Sequence, residues 1–406
     1  MKIVCVGAGP AGLYFSILTK LADRDHDVTV LERKPAGAPT GWGVVFWNDL
    51  LDDLHATDPE TARRIRAAAV QWRGQALDVE GAVVDHEGCG YGIGRSKLVE
   101  ILVERATELG VDVRFDHAVT SDTPLSGADV VVAADGVNST LREREPDVFG
   151  TSVAKGRNKY LWLGTPRLFE HFTFAFVHTP AGWIWSHAYA YDERMSTFIV
   201  ECAPETWSGL GLDALDASEG LRALEDIFAK QLEGEPLYSL DCDATLPWLE
   251  FRTLTNARWH SGNTVLMGDA AHTTHFSIGS GTRLAMQDAI ALAAALREHE
   301  SPEAAFAAYE EARRRALMRP QNEARFSARW FEEVPRYAGL PGPTFFALLR
   351  ARRDPMLTRV PPKLYAWAYT TADRIAFTRK LKRAIGPKVR AFQTQRSQKA
   401  TPLRSS

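Results

Sequence analysis

No apolar run in this 406-residue sequence reaches the roughly 20 residues needed to cross a bilayer, so no membrane span is expected. Cysteine is scarce. Cys5, Cys89, Cys202 and Cys242 are scattered without a C-x-x-C pair, which argues against a metal site and for the reducing cytoplasm. Cys5 lies inside an apolar run and reads as a small buried hydrophobe. Internal repeats are absent, which removes the solenoid and propeller classes. Lys2 precedes an apolar run as in a secretory leader, but glycines and Pro10 interrupt it and no small-residue cleavage site follows. What remains is an ordinary globular composition, with length for two to three domains.

The most informative stretch is Val6-Gly7-Ala8-Gly9-Pro10-Ala11-Gly12. An apolar strand precedes it, an amphipathic helix follows, and a second strand from Asp27 ends in Glu32-Arg33. That is a dinucleotide fingerprint in its required context. Gly7 permits the tight turn, Gly9 lets backbone approach a pyrophosphate, and Gly12 lets the helix pack closely. Ala11 sits within the turn, and Glu32 can accept hydrogen bonds from ribose hydroxyls. The helix start offers unpaired N–H groups to the anion. The fingerprint alone does not choose between FAD and NAD(P).

Charge is unevenly spread behind a net −3. Residues 351 to 406 carry fourteen Lys and Arg against two Asp and Glu, leaving 34 basic and 49 acidic residues before them. Such polarity suits either an anionic partner or a tail that covers its own acidic body. Few aromatics interleave the tail's charges, so nucleic acid is not expected.

Residues 1–70, 92–150 and 256–345 have α/β texture, read as one discontinuous nucleotide-binding domain. Residues 71–91 and 151–255 read as a β-sheet substrate domain, and 346–406 as a basic helical extension with a disordered end. A long helix from Ser301 is expected to break at Pro320. Within the sheet, Trp183, Trp185, His187, Tyr189 and Tyr191 alternate and so share one face. The first reading of that stripe is burial in its own domain core. The second is an aromatic wall over a planar substrate, with His187 as its polar member.

Two further motifs stand in order after the fingerprint. Ala134-Asp135-Gly136 follows an internal strand, and Gly268-Asp269-Ala270-Ala271-His272 precedes Gly279-Ser280-Gly281. Singly, each could be a turn, a cap or a pair of loop histidines. Together they resemble the single-component flavoprotein aromatic hydroxylases. Gly41 to Val45, Gly156 to Tyr160, Ser196 to Glu201 and His275 to Gly279 resemble more narrowly the salicyloyl-CoA 5-hydroxylase and violacein-pathway tryptophan hydroxylase group.

The resemblance implies a p-hydroxybenzoate-hydroxylase-like α/β fold with an inserted antiparallel sheet. It implies FAD held by Gly7, Gly9, Ala11, Gly12, Glu32, Arg33, Arg95, Asp135, Gly268 and Asp269. Gly279, Ser280, Gly281 and Thr282 would bring backbone N–H groups to the isoalloxazine edge. NADPH or NADH would reduce the flavin transiently, since no second fingerprint exists. A flavin C4a-hydroperoxide formed with O2 would then hydroxylate an electron-rich ring. The class often has Pro where Phe276 stands and Asn where Arg283 stands, which affects the shape of the flavin-to-substrate channel. Trp185, His187, Tyr189 and Phe276 are the candidate substrate contacts, and His187 and His275 the candidate bases. The substrate is expected to be an aryl-CoA or carrier-bound thioester, which the basic tail favours. The alternatives are a free indole such as tryptophan, or a flavin reductase that does not use O2.

Overall fold

Short runs rich in valine pair into the first sheet, as β-branched side chains favour. Its strand order is His260–Ser261, Thr264–Leu266, Val130–Ala133, Lys2–Val6, Asp27–Leu31, Asp112–Arg114. All pairs are parallel except the antiparallel edge at His260–Ser261. The chain leaves Lys2–Val6 on one side, towards Asp27–Leu31, and later returns on the other at Val130–Ala133. Strand order therefore reverses beside Val6, where open α/β sheets bind ligands. Pro10 opens the Pro10–Ala22 helix, whose Leu13, Phe15 and Ile17 share a core with Leu284, Met286 and Leu292 of the Gly281–Glu298 helix.

The structure, a computed structural model, describes residues 1–240, 244–369 and 371. It divides into two compact units, Met1–Pro335 and Arg336–Ser406, and both sheets lie in the first. In the second unit the Gly342–Arg350 helix buries Phe345, Leu348 and Leu349, and the Tyr365 hydroxyl donates to Asp354. Cys242 and the disorder expected at the chain's end lie outside the described residues. Among those residues no helix is long and apolar enough to cross a membrane.

The second sheet has the order Leu249–Thr255, Ser152–Thr165, Ser196–Cys202, Gly182–Ala190, Phe172–Thr179, Val70–Val79, Ala82–Gly94, Gly43–Phe46. It is antiparallel apart from the pairing of Val70–Val79 with Phe172–Thr179. Its two faces differ in kind. Leu161, Leu163, Ile184, Ala188, Phe198 and Val200 pack against Leu212, Leu224, Phe228 and Leu232 of a helical layer. The opposite face carries Trp185, His187 and Tyr189. The aromatic stripe is thus not the core of its own helical layer, because the even-numbered residues of the strand fill that role.

Pro320 does not break its helix, which runs unbroken from Pro302 to Glu332. Proline removes one backbone hydrogen bond and strains one turn, at a cost of roughly 3 kcal/mol. Buried Phe306, Tyr309 and Leu317 before it, and Ala324, Ser327, Trp330 and Phe331 after it, hold the axis through that turn.

Candidate active site

Four strands of the first sheet end level with one another, and each delivers one motif to that carboxyl edge. The Gly7 N–H donates to Leu31 O, Ala134 N–H to Val6 O and Met267 N–H to Ala133 O. The fingerprint glycines do three different jobs there. Gly7 has φ +105°, and a Cβ on it would collide with the Ala134 carbonyl. At Gly12 a Cβ would strike the Gly7 carbonyl and come within 2.9 Å of Cys5 Sγ. Gly9 is the opposite case, since nothing lies within 4 Å of a Cβ built on it. That gap faces the start of the Pro10–Ala22 helix, where backbone N–H groups favour an anion.

Asp135, Arg95 and Asp269 carry charge or lone pairs that the described residues leave open. Asp135 accepts from Thr140 N–H at 2.7 Å through one oxygen, while its Oδ1 is buried with no partner among the described residues. The Arg95 guanidinium forms no ion pair among the described residues. Burial pushes its pKa down, and nearby Asp269 opposes that shift. Asp269 keeps open surface, but the protein around it excludes enough water to push its carboxyl up, with Arg95 and His272 opposing. Glu32 is tied to the turn itself, accepting from Ala8 N–H at 2.9 Å and from Lys34 N–H at 2.9 Å. Ala11 is buried against Gly268, whereas Arg33 is exposed.

The loop that presents Asp269 is braced from behind by a buried network. Asp288 accepts from Gly268 N–H at 3.1 Å, lies 2.8 Å from His272 Nε2, and accepts from Arg313 Nε at 2.6 Å. Burial alone would push the Asp288 carboxyl up, but His272 and Arg313 hold it below the usual range. Asn256 adds donations to the Ala270 and Ala271 carbonyls. Downstream, Gly279 takes φ +60° with Trp47 and Val45 against it, so a side chain there would be both strained and crowded. Ser280 turns its hydroxyl to Ile278 O and leaves the Gly281–Glu298 helix uncapped, with open space at Gly281. Thr282 lies in that first turn. Arg283 pairs outward with Asp49, joining two helices away from the loop.

Facing this loop is the aromatic side of the second sheet. Phe276 packs at 5.1 Å from Tyr160, 5.4 Å from His187 and 4.6 Å from His275, between ring centroids. Tyr189 spends its hydroxyl on Gly43 O at 2.9 Å and stacks on Phe172. One polar island interrupts the rings. Glu201, 1% exposed, accepts from Asn158 Nδ2 at 2.8 Å and Trp185 Nε1 at 3.1 Å, and lies 3.3 Å from His187 Nε2. Burial works to raise the Glu201 carboxyl, yet its hydrogen bond and attraction to His187 hold it below the usual range. His275 accepts from Ser277 N–H through Nδ1, which places its own ring proton on Nε2. Burial pushes the His275 imidazole down to about 4.

Reading the sequence missed Glu201, Asn158, Asp288 and Trp47. Signals for two of them were present: Asn158 and Glu201 stand in stretches that carry the family resemblance, and Glu201 is the lone carboxylate of the apolar strand Ser196–Cys202.

A family model described as an FAD binding domain matches residues 227–324. The chain is 39% identical to salicyloyl-CoA 5-hydroxylase of a Streptomyces species, over 86% of this chain and 68% of that protein. It is 34% identical to 3-hydroxy-4-methyl-anthranilyl-(aryl-carrier protein) 5-monooxygenase of Streptosporangium sibiricum, over 82% of this chain and 90% of that protein. Protodeoxyviolaceinate monooxygenase of Chromobacterium violaceum is 33% identical, over 87% and 95%. In fold the chain matches 2-methyl-3-hydroxypyridine-5-carboxylic acid oxygenase with TM-score 0.61 and 20% identity, over 90% of this chain and 95% of that one. The fold is of the p-hydroxybenzoate-hydroxylase-like type. The chain belongs to the family of FAD-dependent aromatic hydroxylases, enzymes of the single-component class, and FAD is its cofactor.

Proposed function

We propose that this hydroxylase acts on an electron-rich aromatic ring carried as a thioester, on CoA or on a carrier protein. One observation carries the reading: the two relatives at 39% and 34% identity are both named for thioester-bound aryl groups. The violacein-pathway relative is named for protodeoxyviolaceinate, which leaves free tryptophan the less supported alternative. A reductase that makes no use of O2 has no support among relatives named hydroxylase or monooxygenase.

FAD, reduced by NADPH or NADH, supplies the activation of O2 for transfer to the ring. The residues present fit that cofactor. The gap at Gly9 and the guanidinium of Arg95 would receive the pyrophosphate, with Ala11 and Gly12 keeping the helix close enough to reach it. Glu32 and Arg33 would flank the adenosine ribose. The unpartnered oxygen of Asp135 and the carboxyl of Asp269 would accept from cofactor hydroxyls. Gly279, Ser280, Gly281 and Thr282 would turn helix-start N–H groups towards the isoalloxazine edge, where negative charge gathers on reduction. We place the ring of the substrate on the aromatic side of the second sheet. There Trp185, Tyr189 and Phe276 exclude water, His275 donates through Nε2–H, and His187 takes up a substrate proton.

The test is a screen of salicyloyl-CoA, anthraniloyl-CoA, the free acids and tryptophan. It reads NAD(P)H oxidation, O2 uptake and product mass. Oxidation stimulated by a thioester, with one oxygen added to the aryl group, is expected. Stimulation by tryptophan and by no thioester would overturn the thioester reading. Release of FMN in place of FAD on denaturation would overturn the cofactor fit.

A further inference from the structure

Glu201 is a buried carboxylate with no arginine or lysine ion pair among the described residues. Three neighbours on the two flanking strands turn polar atoms on it: Asn158 from Ser152–Thr165, and Trp185 and His187 from Gly182–Ala190. A buried ionised carboxylate without a full counter-charge costs several kcal/mol relative to a well-packed apolar side chain. Structure alone gives the site no reason to keep it. The opposite face of the same strand shows what apolar packing does here, with Phe198 and Val200 fully buried.

The chemistry of the donors explains what the carboxylate does. An ionised carboxylate only accepts, so the His187 Nε2 that meets it must carry a hydrogen. In the neutral imidazole the other nitrogen, Nδ1, is then the acceptor. Phe174, Phe276 and Phe331 pack on that ring at 5.1, 5.4 and 4.9 Å and oppose a flip that would exchange the nitrogens. We propose that Glu201 is the positioning residue of a carboxylate–histidine pair: it holds His187 as the Nε2–H tautomer and so makes Nδ1 the atom that deprotonates the substrate's ring hydroxyl or amine. The assignment rests on the hydroxylase reading above and deepens it.

The step balances without a co-reactant. The substrate O–H or N–H bond breaks, an H–Nδ1 bond forms, and the electron pair stays on the substrate heteroatom, where it enriches the ring to be hydroxylated. Glu201 neutralises the resulting imidazolium across Nε2, and the proton returns to the product heteroatom before release. Among the described residues, other titratable groups around the pair include Tyr160, His275 and Cys202. Tyr160 lies across from Glu201 on the Ser152–Thr165 strand, where burial pushes its phenol up and Arg252 opposes. His275 lies on the loop beyond Phe276, and Cys202 points to the other face of the sheet.

The experiment compares wild-type holoenzyme with Glu201→Gln and His187→Gln. Nitrogen-15 NMR of labelled histidine reads the resting tautomer without any substrate, so it stands even where the thioester reading fails. Wild type is expected to show His187 protonated on Nε2, and Glu201→Gln to lose that preference. With an active hydroxyaryl-CoA, Glu201→Gln should keep FAD and KM but lose kcat by about 10–100-fold at neutral pH. Both variants should recover rate as pH rises above the substrate's own hydroxyl pKa, where no base is needed. A purely structural role would lower kcat uniformly across pH. That outcome, unchanged kcat in Glu201→Gln, or a wild-type His187 protonated on Nδ1 would each overturn the pair. If Glu201→Gln does not fold, the wild-type tautomer and the pH profile of His187→Gln decide the matter. Absence of thioester turnover in wild type would instead overturn the function.

Discussion

The two halves of the candidate site are built on opposite terms. The carboxyl edge of the first sheet works by leaving things out, namely side chains at Gly9 and Gly281, a partner for Asp135 Oδ1, and a cap on the Gly281–Glu298 helix. The aromatic face of the second sheet works by filling space around the polar island at Glu201. A half made of gaps is suited to a cofactor that completes it. A half made of packed rings is suited to excluding water from a reaction. Burial alone does not mark a candidate functional group: Asp269 has open surface and Glu201 has almost none.

The contrast breaks most severely at Gly12. A valine there would drive into the Gly7 carbonyl and Cys5, so Gly12→Val is expected to yield no folded, yellow protein in purification and absorbance measurements. Asp288 comes next, because its loss strands Arg313 and the His272 ring inside the core. Asp288→Ala should cost about 3–5 kcal/mol in urea unfolding and weaken FAD binding as well.

His275 sharpens the comparison through pH. Its folded-state pKa near 4 lies below the unfolded value of 6.5, so the unfolded chain binds a proton first as pH falls. Stability from this group is therefore whole above pH 6.5 and drains away between 6.5 and about 4. The total is about 3 kcal/mol, measurable as the difference in pH dependence between wild type and His275→Gln.

Gly9→Ala separates gap from packing. Nothing meets the added methyl in the protein, so thermal stability without cofactor should stay within about 0.5 kcal/mol of wild type, while FAD titration shows weaker binding. Trp185→Phe tests the packed half, since it removes one of the donors to Glu201 and keeps most of the ring. A loss of about 1 kcal/mol in unfolding free energy is expected, with FAD affinity unchanged.

Much of the first half was legible in the sequence because its parts are local. Gly7, Gly9 and Gly12 could be given separate jobs from spacing alone, and the structure shows a collision, a gap and a close contact in that order. Asp135 and Asp269 were found by what stands before them, a short apolar strand. Glu201 was not legible as a site. Its donors lie 14, 16 and 43 positions away, and strand register alone brings them together. Asp288 and Arg313, 25 positions apart, meet only because two helices cross.

By itself, then, the sequence determined the nucleotide turn, the alternation that put Trp185, His187 and Tyr189 on one face, and the family those motifs mark. Short-range backbone geometry is enough for each, since a turn or a strand sets its own side-chain directions. Tertiary structure decided which way the aromatic face turns, that the helix runs on through Pro320, and that a buried carboxylate meets His187. Those outcomes depend on register and packing between distant segments, and no local pattern carries that information.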